Sequence, residues 1–388
     1  MKQNLSIYIH YPFCKSKCPY CDFNSHVREG VDHEKFLRAY ESEINFFAPQ
    51  LLGRKIKTIF FGGGTPSLMP AQLVEKILNK ISASWEVDKN CEITLEANPT
   101  SFESEKFKDF KRAGVNRLSV GVQALNNADL KFLGREHSAS EALQTLEKAS
   151  KIFENFSFDL IYARPLQSLE QWSQELQQAL DFGANHMSLY QLTIEKGTKF
   201  FSDFQQKKFT MPNENLAADF YDLTNQLTAS KGLELYEISN YAKKNFECAH
   251  NLVYWQGGDY LGIGAGAHSR VFLDGEKNRS AIMMLHEPMA WLNKAQNNNA
   301  AIQTITKITA EELREELILM GLRLRDGISA KIFQEYFGKK LSEIFNFKKL
   351  ETLASQGLIE FDEEKIKITH QGRILTNAII EKISTTNP

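Results

Sequence analysis

Six short runs of β-branched and aromatic residues recur in the first half of this chain, and each ends in a turn or a polar residue. They are Leu5–Tyr11, Lys57–Phe61, Glu92–Pro99, Arg117–Gln123, Ser157–Tyr162 and His186–Leu192. Stretches with helical spacing lie between them. His33–Phe47 sets Phe36, Leu37, Tyr40, Ile44 and Phe47 on one face before Pro49, and further helices are predicted over 72–81 and 104–113. Near-continuous apolar strands alternating with helices require a parallel sheet covered by helices. Six such units make an open, partial (β/α)6 barrel of the TIM type. In barrels of that kind the chemistry sits at the C-terminal ends of the strands, so the residues there matter most.

Straight after the first run comes Cys14-Lys-Ser-Lys-Cys18-Pro-Tyr-Cys21. Three thiols within eight residues can grip one metal centre from a single loop. A structural zinc would need a fourth nitrogen or sulfur ligand, whereas a cubane iron–sulfur cluster held by three cysteines keeps one iron open. The other two cysteines, Cys91 and Cys248, are far apart in sequence, which is no disulfide framework and points to a reducing compartment. The N-terminus has no long apolar segment or cleavage site, and no run approaches the ~18 apolar residues of a membrane span. A cytoplasmic protein without membrane insertion is expected. A net charge of −2 gives no reason to expect nucleic acid as a partner.

The second run leads into Gly62-Gly-Gly-Thr-Pro66, where missing Cβ atoms let backbone approach a ligand and point amides at a carboxylate or phosphate. Glu96, Gln123, Asp159 and Gln191 stand at strand ends, with Arg135 on a Leu-Gly-Arg loop, and all converge on one mouth of the barrel. Each alone reads equally well as a strand-end or helix cap. Further on, Cys248-Ala-His250-Asn251-Leu-Val-Tyr254-Trp255 admits two readings. One is a buried polar-aromatic patch closing the barrel. The other is a porphyrin contact, with His250 or Cys248 toward iron and flat aromatic rings against the macrocycle. The glycine run 262–266 lacks the strand–helix setting of a dinucleotide fingerprint and reads as close backbone packing, or as a ligand-facing loop beside His268.

The asparagine-rich stretch from Gln296 reads as the start of a linker over 296–308, dividing 1–295 from a C-terminal domain over 309–388. That domain opens with the capping box Thr309-Ala-Glu-Glu312 on a helix to Arg325. Helices over 329–337 and 347–355, a hairpin over 357–369 and a last helix from about Gln371 suggest a winged-helix-like module. With 12 Lys and Arg against 13 Asp and Glu, it lacks the basic footprint of a DNA binder.

In spacing and flanks, Tyr8-Ile-His-Tyr-Pro-Phe-Cys14 to Cys21-Asp-Phe23 resembles the cluster loop of radical S-adenosylmethionine (SAM) enzymes, in the branch of oxygen-independent coproporphyrinogen III oxidase-like proteins. That resemblance implies a [4Fe–4S] cluster on Cys14, Cys18 and Cys21, with SAM chelating the open iron. It also implies SAM contacts at Tyr8, Gly63, Gly64, Thr65, Glu96, Gln123, Arg135 and Asp159. One departure stands after the fifth run, where Ala163-Arg164-Pro165-Leu166-Gln167 replaces the family's Gly-Leu-Pro-Gly-Gln and puts substrate access in question. Within the branch, His-Asn-x-x-Tyr-Trp marks the HemW-type haem chaperones, so His250, Asn251, Tyr254 and Trp255 are the expected haem contacts. The branch's dehydrogenases carry a further cysteine two residues past the last cluster cysteine, where this chain has Phe23. A haem chaperone passing haem to an acceptor protein is therefore expected ahead of a coproporphyrinogen III dehydrogenase or a radical SAM methyltransferase, and a homodimer stays open.

Overall fold

The computed structural model describes residues 3–296 and 299–384. Its first half is a curved parallel sheet of six strands in chain order: β1 (Asn4–Tyr11), β2 (Lys55–Gly63), β3 (Glu86–Ala97), β4 (Arg117–Gln123), β5 (Asn155–Tyr162) and β6 (His186–Gln191). Each pairs parallel with the next. β1 is buried on both faces except at its first residue and Tyr8, as expected of a strand with helices outside and a packed barrel inside. β3 starts earlier than its apolar run predicts, because Lys55 pairs with Glu86 and Lys57 with Asp88 and so extends the ladder.

The sheet does not close. Beyond β6 two short antiparallel strands, Asn240–Ala242 and Glu234–Leu235, form one edge. On the far side of β1 the strand Tyr260–Ile263 adds parallel, followed by antiparallel His268–Val271, Ser280–Met284 and Ile302–Lys307. This corrects the linker reading: 302–307 is a strand of the main sheet, its Ile and Thr side chains favouring a ladder over coil. Residues 297 and 298 of that expected linker lie outside the described residues.

The helices His33–Phe47 and Ala71–Ser84 cover the first strands as predicted. The helix expected over 104–113 is two pieces, Ser101–Ser104 and Phe107–Arg112. The break follows Glu103, whose carboxylate turns inward to Ser67 Oγ and the Asn98 amide at the end of β3. Helices Ala139–Ile152 and Leu169–Leu180, both opened by capping boxes at Ser138/Glu141 and Ser168/Gln171, cover the next strands. A separate apolar cluster built on Leu317, Ile318, Phe333, Leu350, Ile366 and Ile379 organises the C-terminal part. There the helices Ala310–Gly321, Ala330–Phe337, Phe347–Ser355 and Thr376–Ser384 surround a three-stranded sheet. The last helix starts later than Gln371, because Arg373–Leu375 first form a tighter 3-10 turn that leads into Thr376–Ser384.

Candidate functional site at the barrel mouth

The three thiols of Cys14, Cys18 and Cys21 are unpaired and face one cavity of about 600 Å³ at the C-terminal ends of the strands. The loop that carries them is pinned from several sides. Gly63, at φ +113°, lies where a Cβ would strike the His10 ring at 2.6 Å, and at Gly64 it would meet the Phe13 carbonyl at 2.5 Å. The glycines are therefore needed for the protein's own cysteine loop to pack on the end of β2. Their amides are engaged as well: Gly63 N donates to Glu96 Oε2 at 3.2 Å, Gly64 N to the Tyr11 carbonyl and Thr65 N to the Phe13 carbonyl. The expectation of amides aimed at a ligand is corrected accordingly.

Two sulfurs receive donors from elsewhere in the barrel. Thr65 Oγ1 donates to Cys14 Sγ at 3.6 Å and Arg135 Nη1 to Cys18 Sγ at 3.3 Å. Arg135 reaches this position because Gly134, at φ +68°, lets its loop lie against Pro19, where a Cβ would meet the ring at 2.5 Å. Arg135 Nη2 also donates to Asn98 Oδ1 and the Gly121 carbonyl, and Asn98 Nδ2 donates to Thr65 Oγ1. Asn98 thus joins both sulfur donors. Sequence reading passed it over, although its place before Pro99 at a strand end was a usable signal. Arg135 Nε is buried without a hydrogen-bond partner among the described residues.

Gly63, Gly64, Thr65, Glu96, Gln123, Arg135 and Asp159 all line this cavity. Gln123 adopts φ +75°, a left-handed turn that ends β4 at the mouth. Tyr8 is not at the cavity wall: its hydroxyl pairs with His10 Nδ1 at 3.1 Å and its ring stacks near Phe60 inside the barrel. Gln191 is exposed and also stands apart. Burial, with Asp159 adding repulsion, pushes the Glu96 carboxyl up to about 8. Burial raises Asp159 to about 6, against the opposing pull of Ser188 and Arg117. A cation brought beside these two carboxyls would favour their ionised forms.

Three thiols on one loop, two of them accepting hydrogen bonds, fit a three-cysteine cluster; among the described residues no three Cys, His, Asp or Glu side chains close on a single ion. Such a cluster would leave one iron for the amino and carboxylate groups of SAM. Phe23, two residues past Cys21, also lines the cavity and is 62% exposed. The departure after β5 does not narrow the mouth with a charge. Arg164 is buried, its guanidinium on Glu175, Asp129 and the Ile161 carbonyl, while Gln167 also reaches Glu175. Leu166, at φ +63°, points into solvent.

His250 lies at the other end of the barrel. Glu92 accepts from Ala249 N and His250 N, capping the helix Ala249–Trp255. His250 is 1% exposed, with Nδ1 on Thr58 Oγ1 at 2.7 Å and Nε2 on the Tyr254 hydroxyl at 2.8 Å. Burial holds it neutral, its pKa down at about 3. Both ring nitrogens are occupied, so iron ligation would first have to break both bonds. Burial also pushes the Cys248 thiol up to about 12, which keeps it protonated. Asn251 and Trp255 are half-buried, and Trp255 borders a 470 Å³ cavity against the C-terminal domain. The glycine run packs as expected: at Gly264 a Cβ would meet the His10 carbonyl and at Gly266 the Asn24 side chain.

The radical SAM superfamily model matches residues 8–179 and the HemN C-terminal domain model residues 308–375. The heme chaperone HemW of Escherichia coli (strain K12) is 36% identical over 97% of both chains, and that of Bacillus subtilis (strain 168) 34% identical over 96% of this chain and 97% of its own. The mitochondrial radical S-adenosyl methionine domain-containing protein 1 of Mus musculus is 35% identical over 97% of this chain and 86% of its own. Coproporphyrinogen III oxidase (HemN) from Escherichia coli shares the fold, with a TM-score of 0.82 over 99% of this chain and 90% of its own at 23% identity. With relatives of this identity matched over nearly the whole chain, and with three thiols gathered at the mouth of a partial barrel, the protein belongs to the HemW family of the radical SAM superfamily.

Proposed function

We propose that this protein binds haem and delivers it to an acceptor protein, with a [4Fe–4S] cluster on Cys14, Cys18 and Cys21 and SAM in the cavity beside it. The observation that carries this reading is Phe23, which puts an exposed apolar ring where a porphyrin-oxidising relative would place another thiol. A cluster with one open iron supplies a site for the amino and carboxylate groups of SAM. Thr65 and Arg135 hold two of the cluster thiolates through hydrogen bonds and moderate their charge. Glu96 and Asp159 meet the cationic part of SAM, and Gln123 contacts it from the end of β4. Tyr8 acts behind the wall by orienting His10, and the helix of His250 and Tyr254 closes the barrel floor.

The reading places the protein in the cytoplasm, and among the described residues no helix is long and apolar enough to cross a membrane. Anaerobic titration of the reconstituted protein with haem should give a saturable Soret shift. Coproporphyrinogen III, incubated with the protein, SAM and a reductant, should remain unconverted. Accumulation of protoporphyrinogen at a catalytic rate would replace this reading with the dehydrogenase.

A further inference from the structure

We infer that haem iron is ligated by His26 and His286, at a surface site on the flank of the cysteine loop; this rests on the haem-binding reading above. Among the described histidines His10, His137, His186 and His250 are buried, whereas His26 and His286 reach solvent and meet each other, with His268 beside His286 and with His33 and His370 elsewhere. The rings of His26 and His286 lie 6.1 Å apart at 69°. Two imidazoles on opposite sides of one metal, each bound at about 2 Å, have ring centres roughly 6 Å apart.

The hydrogen bonding prepares His26 as a ligand. Asn24 Nδ2 donates to the carbonyls of Ala265 and His286, both at 2.9 Å, so its Oδ1 is an acceptor. His26 Nε2, 2.8 Å from that oxygen, must then carry the proton. Nδ1 keeps its lone pair and has no hydrogen-bond partner among the described residues. A ring whose far N–H is fixed on an amide oxygen is the usual arrangement of a metal-binding histidine.

The surroundings suit a porphyrin. Phe23 and Val27, 62% and 58% exposed, flank His26 on its own loop and offer apolar surface. Lys17 donates to the Ser25 carbonyl beside it, and Arg28 is two residues on, so two cations stand near for the propionates. Glu287 is occupied as an N-cap on Met289 N and Ala290 N. Ser25 also touches Cys21 Sγ at 3.7 Å, which puts the haem site one residue from a contact of the cluster loop.

The test is anaerobic titration of the full-length protein with haem, followed by absorption and electron paramagnetic resonance. The wild type should form a low-spin, six-coordinate complex. His286→Ala, an exposed change with no ring hydrogen bond to lose, should convert it to a high-spin form. His26→Ala/His286→Ala should raise the Kd about tenfold or more, the scale for losing a metal contact. His370→Ala, at an exposed histidine of the C-terminal domain, should leave both unchanged. A double variant with the wild-type Soret band and Kd, or a low-spin complex surviving in His286→Ala, overturns this assignment. A wild type that binds no haem at all overturns the haem reading instead.

Discussion

Replacing Glu96 with Gln should make the cluster-free protein more stable at neutral pH while weakening its hold on SAM. Burial and the neighbouring Asp159 raise the Glu96 carboxyl from an ordinary 4.5 to about 8. Between those values the folded protein keeps a proton that the unfolded chain has released. Stability therefore falls as pH rises through the window, by about 1.4 kcal/mol per unit. Relative to acid conditions the penalty at pH 7 is about 3 kcal/mol, from some 2.5 units of separation. Gln has the same shape, can still accept the Gly63 amide through Oε1, and does not titrate. Urea unfolding from about pH 5.5 to 7 should therefore show the wild type losing about 2 kcal/mol relative to Glu96→Gln. Asp159, raised to about 6, acts in the same direction in both proteins and largely cancels in the difference. Calorimetry should show SAM binding weakened by about 1.5–3 kcal/mol, the scale of a hydrogen bond to a charged group. Parallel stability profiles for the two proteins would refute the assignment of a protonated Glu96, and unchanged SAM affinity would remove it from the pocket.

Cys18→Ala should lose the cluster on anaerobic reconstitution, measured as iron and sulfide falling from about four each per chain. Arg135→Gln removes a cation that donates to Cys18 Sγ and should lower the cluster's midpoint potential by on the order of 50 mV, about 1 kcal/mol for one electron, in a potentiometric titration. Glu175→Ala leaves buried Arg164 with Asp129 as its remaining carboxylate partner; unfolding should show a loss of about 3–5 kcal/mol, while an unchanged unfolding midpoint would deny the lock any weight. Gly64→Ala drives a Cβ into the Phe13 carbonyl, so cluster content should fall even though all three cysteines remain.

Local pattern was enough to read the parallel strands, the cysteine loop and several of the helices. A strand buried on both faces announces itself by its own residues, and three thiols in eight residues need no distant partner to be noticed. The capping boxes at Ser138 and Ser168 are equally local, yet the helices they open were not among those expected from the sequence. What sequence pattern could not carry was which side chains meet across long separations. His250 belongs to a motif that suits a haem ligand as well as a core residue, and its contact with Thr58, 192 residues away, could not be read from that motif. The linker expected over 296–308 takes in 302–307, yet Ser280–Met284 offers those residues a ladder. Arg164 looked like a charge at the mouth until Glu175 and Asp129 drew it inside. Asn24 brings His26 and His286 together from positions 260 residues apart, a juxtaposition that exists only because the strand Tyr260–Ile263 pairs with β1 and carries the following turns to the cysteine loop. Periodicity reports the environment of neighbours a few residues apart, whereas sheet order sets which distant polar groups must satisfy one another once water is excluded.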